Sequence, residues 1–275
     1  MTSYLKPEYP IGIFDSGIGG LTVASAVVKA LPKEKIIYFG DTAHLPYGDK
    51  STAAIQAYVI KIIQLLLEQP CKLILIACNS ATAAAFELVK EYVGVKALLV
   101  NVIDPAVHYL HQHFAGKRVG LIATRQTVNS AIYERKIKAL HADITPVSHA
   151  TNLLASAIEE FGNHPVMDSL LATYLAEETL HTVDALLLAC THYPVVKERI
   201  QAYYTSRVNK AVTIIDSSDI VAEAVKQQLE KANLLNLDGD GQKRFYLSDY
   251  TESFNQNARL FFEEPIHLQH YSLWD

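Results

Sequence analysis

Cysteine is scarce, with three residues in a chain of 275. So few thiols exclude a disulfide-stapled scaffold and point to a reducing compartment that keeps all three free. An excess of basic charge is also lacking, because 24 lysines and arginines face 29 aspartates and glutamates, for a formal net charge of -5. That balance excludes a general positive field for nucleic acid or an anionic membrane. No apolar run reaches the length of a membrane span, and the segment from Met1 to Pro10 lacks the apolar stretch of a secretion signal. A cytosolic protein is expected, with small molecules or copies of itself as partners.

What is abundant is apolar residues, half of the chain, enough for a substantial core. They gather into β-type runs at Ile11 to Phe14, Ile36 to Phe39, Leu73 to Ala77, Leu98 to Ile103, Val119 to Ala123, Ala185 to Ala189 and Val212 to Ile215. Helical three- and four-residue periodicity fills Leu21 to Leu31, Thr52 to Leu67, Ala81 to Tyr92, Asn129 to Leu140, Met167 to His181 and Ile220 to Leu229. A further strand is expected at Arg244 to Leu247 and a helix at Glu252 to Phe262. The alternation predicts an α/β fold of mainly parallel sheets flanked by helices on both faces.

Two of the cysteines end near-identical apolar runs. Leu73 to Ala77 stops at Cys78-Asn79-Ser80, and Ala185 to Ala189 stops at Cys190-Thr191-His192. A buried strand that turns polar at a nucleophile delivers that side chain to the carboxyl edge of a parallel sheet, where open α/β folds bind ligands. The duplication predicts two similar lobes with one thiol each and a site in the cleft between them. The first lobe is expected over 1–103 plus 217–275, the second over 104–216, with Asp104-Pro105 as the crossing and Asp216-Ser217-Ser218 as the return. At a strand-to-helix junction, amide N–H groups and the helix dipole favour thiolate over thiol. Cys71, just after Pro70, is read as incidental.

Other strand ends carry polar residues. Asp15-Ser16-Gly17-Ile18-Gly19-Gly20 joins a carboxylate to glycines that permit close backbone approach to a ligand. Gly12 and Gly17 have phosphate-loop spacing, but Ile18 stands where the lysine would be, which disfavours that reading. Asp41 to Ser51 is a polar loop in which Pro46-Tyr47-Gly48 makes a rigid turn with exposed backbone donors. Thr124 and Thr127 offer hydroxyls at a third strand end. His192, two residues past Cys190, is placed to exchange a proton with that thiol or with a bound group. His108, His111 and His113 resemble a metal motif, but they fall on an exposed helix end without a ligand set, so no metal is expected.

Taken together, Asp15-Ser-Gly-Ile-Gly-Gly20, Pro46-Tyr47-Gly48, Cys78-Asn79-Ser80-Ala81-Thr82 and Cys190-Thr191-His192-Tyr193-Pro194, in this order and spacing, closely resemble the glutamate racemases of the aspartate/glutamate racemase superfamily. The resemblance spans nearly the whole chain. It implies a cofactor-independent isomerase that inverts the α-carbon of glutamate between two cysteines, Cys78 and Cys190. It also implies that Asp15 assists Cys78 and His192 assists Cys190. Ser16, Tyr47, Gly48, Asn79, Ser80, Thr82, Thr124, Thr191 and His192, with Asp15, would line the substrate site. Glu159, in Leu153-Leu-Ala-Ser-Ala-Ile-Glu159, matches a second-lobe acid of the family in a divergent context. The resemblance further implies a bacterial cytosolic enzyme, commonly a homodimer, that supplies D-glutamate for peptidoglycan.

Three rivals differ in what they demand. An aspartate racemase would keep both thiols and change the side-chain pocket, and one methylene separates such substrates by only about 1–3 kcal/mol. A thiol hydrolase built on Cys190 and His192 would leave Cys78 without a role. An amino-acid-binding protein on the same scaffold would not need the thiols at all.

Overall fold

The computed structural model describes residues 5–162, 164–262 and 264–274. Met1 to Tyr4, the start of the segment read for a secretion signal, lie outside them. No helix among the described residues is long and apolar enough to cross a membrane.

The first sheet begins with β1 (Ile11–Asp15), α1 (Leu21–Ala30), β2 (Ile36–Gly40), α2 (Thr52–Glu68), β3 (Leu73–Ile76), α3 (Asn79–Val93) and β4 (Leu98–Asn101). Successive side chains of β1 and β3 serve opposite faces, as strand geometry requires. Ile11, Ile13, Leu73 and Leu75 enter one core, while Phe14, Ile74 and Ile76 enter another beneath α2 and α3. Burial on both faces is why these strands read as unbroken apolar runs.

α4 (Ile103–His113) then leads to the second sheet. Asp104 and Pro105 lie in its first turn, where proline is tolerated because the early N–H groups have no helical partner. The crossing is therefore a helix. The second sheet contains β5 (Lys117–Ala123), β6 (Ile144–Ala150), β7 (Ala185–Ala189) and β8 (Thr213–Ile215). Around it lie α5 (Arg125–Asn129), α6 (Ile132–Ala139), α7 (Leu154–Phe161), α8 (Val166–Leu175), α9 (Glu178–His181) and α10 (Lys197–Tyr203). α11 (Ser218–Lys231) returns the chain to the first sheet and packs against α1 and α4. β9 (Lys243–Leu247), α12 (Glu252–Asn257) and β10 (Leu268–His270) follow.

Strand order is β10-β9-β2-β1-β3-β4 in one sheet and β6-β5-β7-β8 in the other. Every pairing is parallel. The expected α/β class with helix-flanked parallel sheets is thus observed. A buried ion pair, Lys72 with Glu34 at 2.6 Å, also fixes the segment after α11, because Lys72 Nζ donates to the Leu234 carbonyl at 2.8 Å.

Several boundaries differ from the periodicity. The helix expected over Asn129 to Leu140 is α6, which starts only after Ala131 takes a left-handed φ of 50°, while Asn129 ends the short α5 before it. Met167 to His181 divides into α8 and α9, and the helix expected to reach Phe262 ends at Asn257 before a short 3-10 turn. β6 is an edge strand of half-buried residues, and its proline is tolerated because an edge leaves one side of the ladder unpaired.

Candidate active site

The carboxyl ends of β1, β3, β5 and β7 converge on one cavity, a cleft of about 440 Å³ of empty space that is partly continuous with solvent. Each strand places its own polar residues there.

After β3, Cys78 caps the N-terminus of α3, and its Sγ accepts the Ala81 N–H at 3.4 Å. The thiol donates to Ser16 Oγ at 3.6 Å. Burial pushes the Cys78 thiol well above its ordinary range, the nearby charge of Asp15 pushes it further, and the two hydrogen bonds recover only part. The resting group is therefore the thiol. A helix N-terminus at Cys78 does not deliver the expected thiolate, because desolvation at a buried site outweighs the dipole and the amide bond.

After β7, Cys190 meets a different neighbour. His192 Nδ1 lies 3.7 Å from its Sγ, and His192 Nε2 lies 2.6 Å from Glu159 Oε1 on α7. Burial alone would lower the imidazole, but the hydrogen bonds to Cys190 and Glu159 outweigh it and hold the ring well above the ordinary histidine range. These partners favour the imidazolium form of His192. The chain continues from it into a 3-10 turn, Tyr193–Val196, not a long helix. The matching sequence runs deliver two thiols into unlike surroundings.

Asp15 stands behind the cavity wall and is fully buried. Its Oδ2 accepts the N–H groups of Gly17 and Gly20 at 3.2 and 3.0 Å, and Thr191 donates its hydroxyl to Oδ1 at 3.4 Å. Burial raises this carboxyl, opposed by the His192 charge and the two amides. The carboxylate does not line the cleft, because it is fully buried and held by its own turn and by Thr191. Two glycines make that packing possible. A Cβ at Gly20 would stand 2.4 Å from Asp15 Cβ, and one at Gly19 would stand 2.3 Å from the His192 ring.

Of the other residues singled out in the sequence, Ser16, Tyr47, Gly48, Asn79, Ser80, Thr124, Thr191, His192 and Glu159 line the cavity together with both cysteines. Thr82 does not. Its hydroxyl turns back along α3 to the Cys78 carbonyl at 2.8 Å, as a threonine in a first helical turn readily does. Tyr47 lines the cavity while its hydroxyl donates to Asp41 at 2.6 Å. Ser80 and Thr124 share a hydrogen bond of 2.8 Å that joins α3 to the end of β5. His108, His111 and His113 are exposed on α4, and no group of three potential metal ligands is gathered among the described residues.

Some lining residues were not anticipated. Ala155 and Ser156 reach the cavity from α7. Ser156 precedes Glu159 by one helical turn, so the spacing itself would have found it once α7 was recognised. Tyr133 on α6 donates to Asn79 Oδ1 at 2.7 Å, and no local pattern announces that contact.

Two parallel sheets whose carboxyl edges share a cleft, with a thiol on each edge, define an α/β enzyme with two cysteines on one cavity. The chain belongs to the Asp/Glu/Hydantoin racemase family, which its residues 12–225 match. It is 37% identical over 262 residues to glutamate racemase of Chlorobium phaeobacteroides, covering 94% of each chain. Among solved structures it is similar to glutamate racemase of Francisella tularensis in complex with D-glutamate, at a TM-score of 0.88 and 35% identity over 98% of this chain and 99% of that one. Glutamate racemase of Thermus thermophilus in complex with beta-chloro-D-alanine gives a TM-score of 0.84 and 35% identity, covering 98% of each chain.

Proposed function

We propose that this chain interconverts L-glutamate and D-glutamate, with Cys78 and Cys190 exchanging protons with the α-carbon from opposite faces. The observation that carries the reading is the presence of both strand-end thiols on one cavity. Racemisation removes a weakly acidic α-proton on one side and delivers a proton on the other, so one sulfur must be thiolate while its partner is thiol.

The unlike surroundings suit that division. In one direction Cys190, beside the imidazolium of His192, takes the α-proton as thiolate, and the buried thiol of Cys78 delivers its proton to the opposite face. Cys78 is left as thiolate, held by the Ala81 N–H and the Ser16 hydroxyl. The reverse direction exchanges these roles. Glu159 keeps His192 charged, and Asp15 acts on Cys78 through its field. Hydroxyls of Ser16, Ser80, Thr124 and Thr191, the amide of Asn79 and the backbone of Tyr47-Gly48 surround the place of the substrate carboxylates. Fixed donors there stabilise the charge that develops on the carbanion. The chemistry calls on these side chains alone, with no cofactor.

The lobes of this reading are 1–103 plus 217–275 and 104–216. β1–β4, β9 and β10 fall in the first range and β5–β8 in the second, which supports the division. The physiological reading is a cytosolic homodimer that supplies D-glutamate for bacterial peptidoglycan. Relatives named glutamate racemase over most of the chain favour glutamate over aspartate. Incubation with L-glutamate and, separately, L-aspartate in D₂O without added cofactor tests the reading. Loss of L-glutamate rotation with α-deuteration is the expected result. Exchange of aspartate alone would transfer the reading to aspartate, and exchange of neither would remove it.

A further inference from the structure

Asp41, at the end of β2, is fully buried yet touches no part of the cavity. Its backbone N–H donates to the Asp15 carbonyl at 3.0 Å, which fixes it to the strand end beside the site. Its carboxylate collects four side chains from separate parts of the chain. Oδ2 accepts the Tyr47 hydroxyl at 2.6 Å. Oδ1 accepts the Ser248 hydroxyl and the Trp274 indole N–H, each at 2.8 Å. His44 Nδ1 stands 3.0 and 3.1 Å from the two oxygens.

Trp274 is well seated for this bond. His44 meets its ring edge-on at 4.4 Å while stacking on Tyr58 at 3.9 Å, and Lys61 Nζ lies 4.8 Å from the indole. On the other side of the carboxylate, Leu45, Pro46, Tyr47 and Gly48 form one wall of the cleft. A single buried side chain therefore connects that wall to an indole far away in sequence. A buried carboxylate that loses one of its donors shifts against the donors that remain, and Tyr47 is the one among them that belongs to the cleft wall.

We propose that Asp41 is a positioning residue for the Leu45–Gly48 wall of the substrate cleft, and that Trp274 is the remote end of the same network, tuning how tightly the cleft holds its amino acid. The inference rests on the glutamate racemase reading above. It assigns Trp274 no contact with substrate. Its effect travels through the Asp41 carboxylate to Tyr47 and from there to the wall.

The test uses the full chain and Trp274→Phe, which keeps a flat ring between His44 and Lys61 and removes the indole N–H. The KM for D-glutamate should rise about five-fold with kcat held within about two-fold, the signature of lost binding, not lost chemistry. Tyr47→Phe, which cuts the same carboxylate from the loop side, should raise KM similarly. The double variant should raise it no more than the larger single change, because the two bonds act through one group. A role confined to stability would instead lower the active fraction, and so kcat, at unchanged KM. Unchanged KM in Trp274→Phe, or strictly additive effects, overturns the inference while native turnover leaves the glutamate reading standing. Absence of native turnover with glutamate overturns both.

Should Trp274→Phe not fold, Tyr47→Phe supplies the second measurement, since Trp274 is the chain's single tryptophan. Its emission should shift in Tyr47→Phe and when D-glutamate binds the native protein. Emission that stays fixed in both cases overturns the inference.

Discussion

Glu159 Oε1 lies 2.6 Å from His192 Nε2, and the opposite nitrogen of the same ring faces Cys190 Sγ at 3.7 Å. The ring relays a charge from α7 to the end of β7. Its two hydrogen bonds hold His192 well above the ordinary histidine range in spite of burial.

Glu159→Gln removes the anion and leaves a group of the same size, so His192 should lose its proton at lower pH. If the imidazolium sustains the Cys190 thiolate, the alkaline limb of the kcat/KM profile should move to lower pH, with turnover at neutral pH down by about 10²-fold. The sign for stability follows from linkage. A histidine whose folded pKa is raised contributes fully below its unfolded value near 6.5 and loses that contribution as pH rises through the folded value. The melting temperature of the native protein should therefore exceed that of Glu159→Gln most clearly in mild acid, and the gap should narrow in alkali. A constant gap across pH would show that Glu159 packs against the ring without charging it.

The two thiols should fail in opposite ways. Cys78→Ala and Cys190→Ala should each lower racemisation by about 10²- to 10⁴-fold, the usual weight of a positioned acid or base. Each variant keeps one sulfur, which can still remove an α-proton and return solvent deuterium on the same face. Deuterium wash-in without inversion should thus survive for one enantiomer in Cys78→Ala and for the other in Cys190→Ala, read by NMR in D₂O. Equal wash-in of both enantiomers by either variant would contradict opposed faces.

Much of this site was legible in the sequence, for a physical reason. Strands buried on both faces must be apolar, so the residue at which each apolar run stops marks the edge of the sheet. Cys78, Cys190, Asp15 and Thr124 were all found that way. Cys71 illustrates the bland alternative, since it is buried against the place where Gly12 would carry a Cβ, and burial pushes its thiol up to about 12. What the pattern could not show was the environment beyond each edge. The cysteine runs share one apolar pattern over six residues, yet Asp15 raises Cys78 from the end of a strand more than 60 positions away, and Glu159 reaches His192 from α7. Thr82 was misplaced because a motif gives a residue's position but not the direction of its side chain. β6 went unseen because a half-buried edge strand carries no continuous apolar run.

Gly19 should tolerate no side chain. A Cβ there would stand 2.3 Å from both Cε1 and Nδ1 of His192, well inside van der Waals contact, and the ring is held at Nε2 by Glu159. Gly19→Ala should cost about 1–3 kcal/mol of stability through overpacking. It should also displace the imidazole from Cys190, so turnover should fall further than the lost folded fraction explains. Activity per folded molecule, from circular dichroism and initial rates together, separates the two effects. Native activity per folded molecule would mean that the ring yields without consequence.

Asp15 acts on Cys78 at a distance, and its removal separates field from contact. Burial is the largest cause of the raised Cys78 thiol, and the Asp15 charge is the next. Asp15→Asn abolishes that charge while its amide oxygen can still accept an N–H from Gly17 or Gly20. Cys78 should then ionise at lower pH, by on the order of one unit for a like charge removed nearby. The pH dependence of iodoacetamide labelling, with the modified peptide identified by mass, reads this directly, and an onset that stays put would show that the Asp15 carboxyl is neutral or screened. The consequence for turnover is constrained from outside the protein. Two enantiomers have equal free energy in water, so kcat/KM must remain equal in the two directions, however unlike the thiols become. An easier Cys78 is a better proton donor and a weaker proton acceptor, so the imbalance must appear as opposite changes in kcat and KM for L- and D-glutamate. Equal kcat changes for both enantiomers would mean that Cys78 ionisation does not limit either direction.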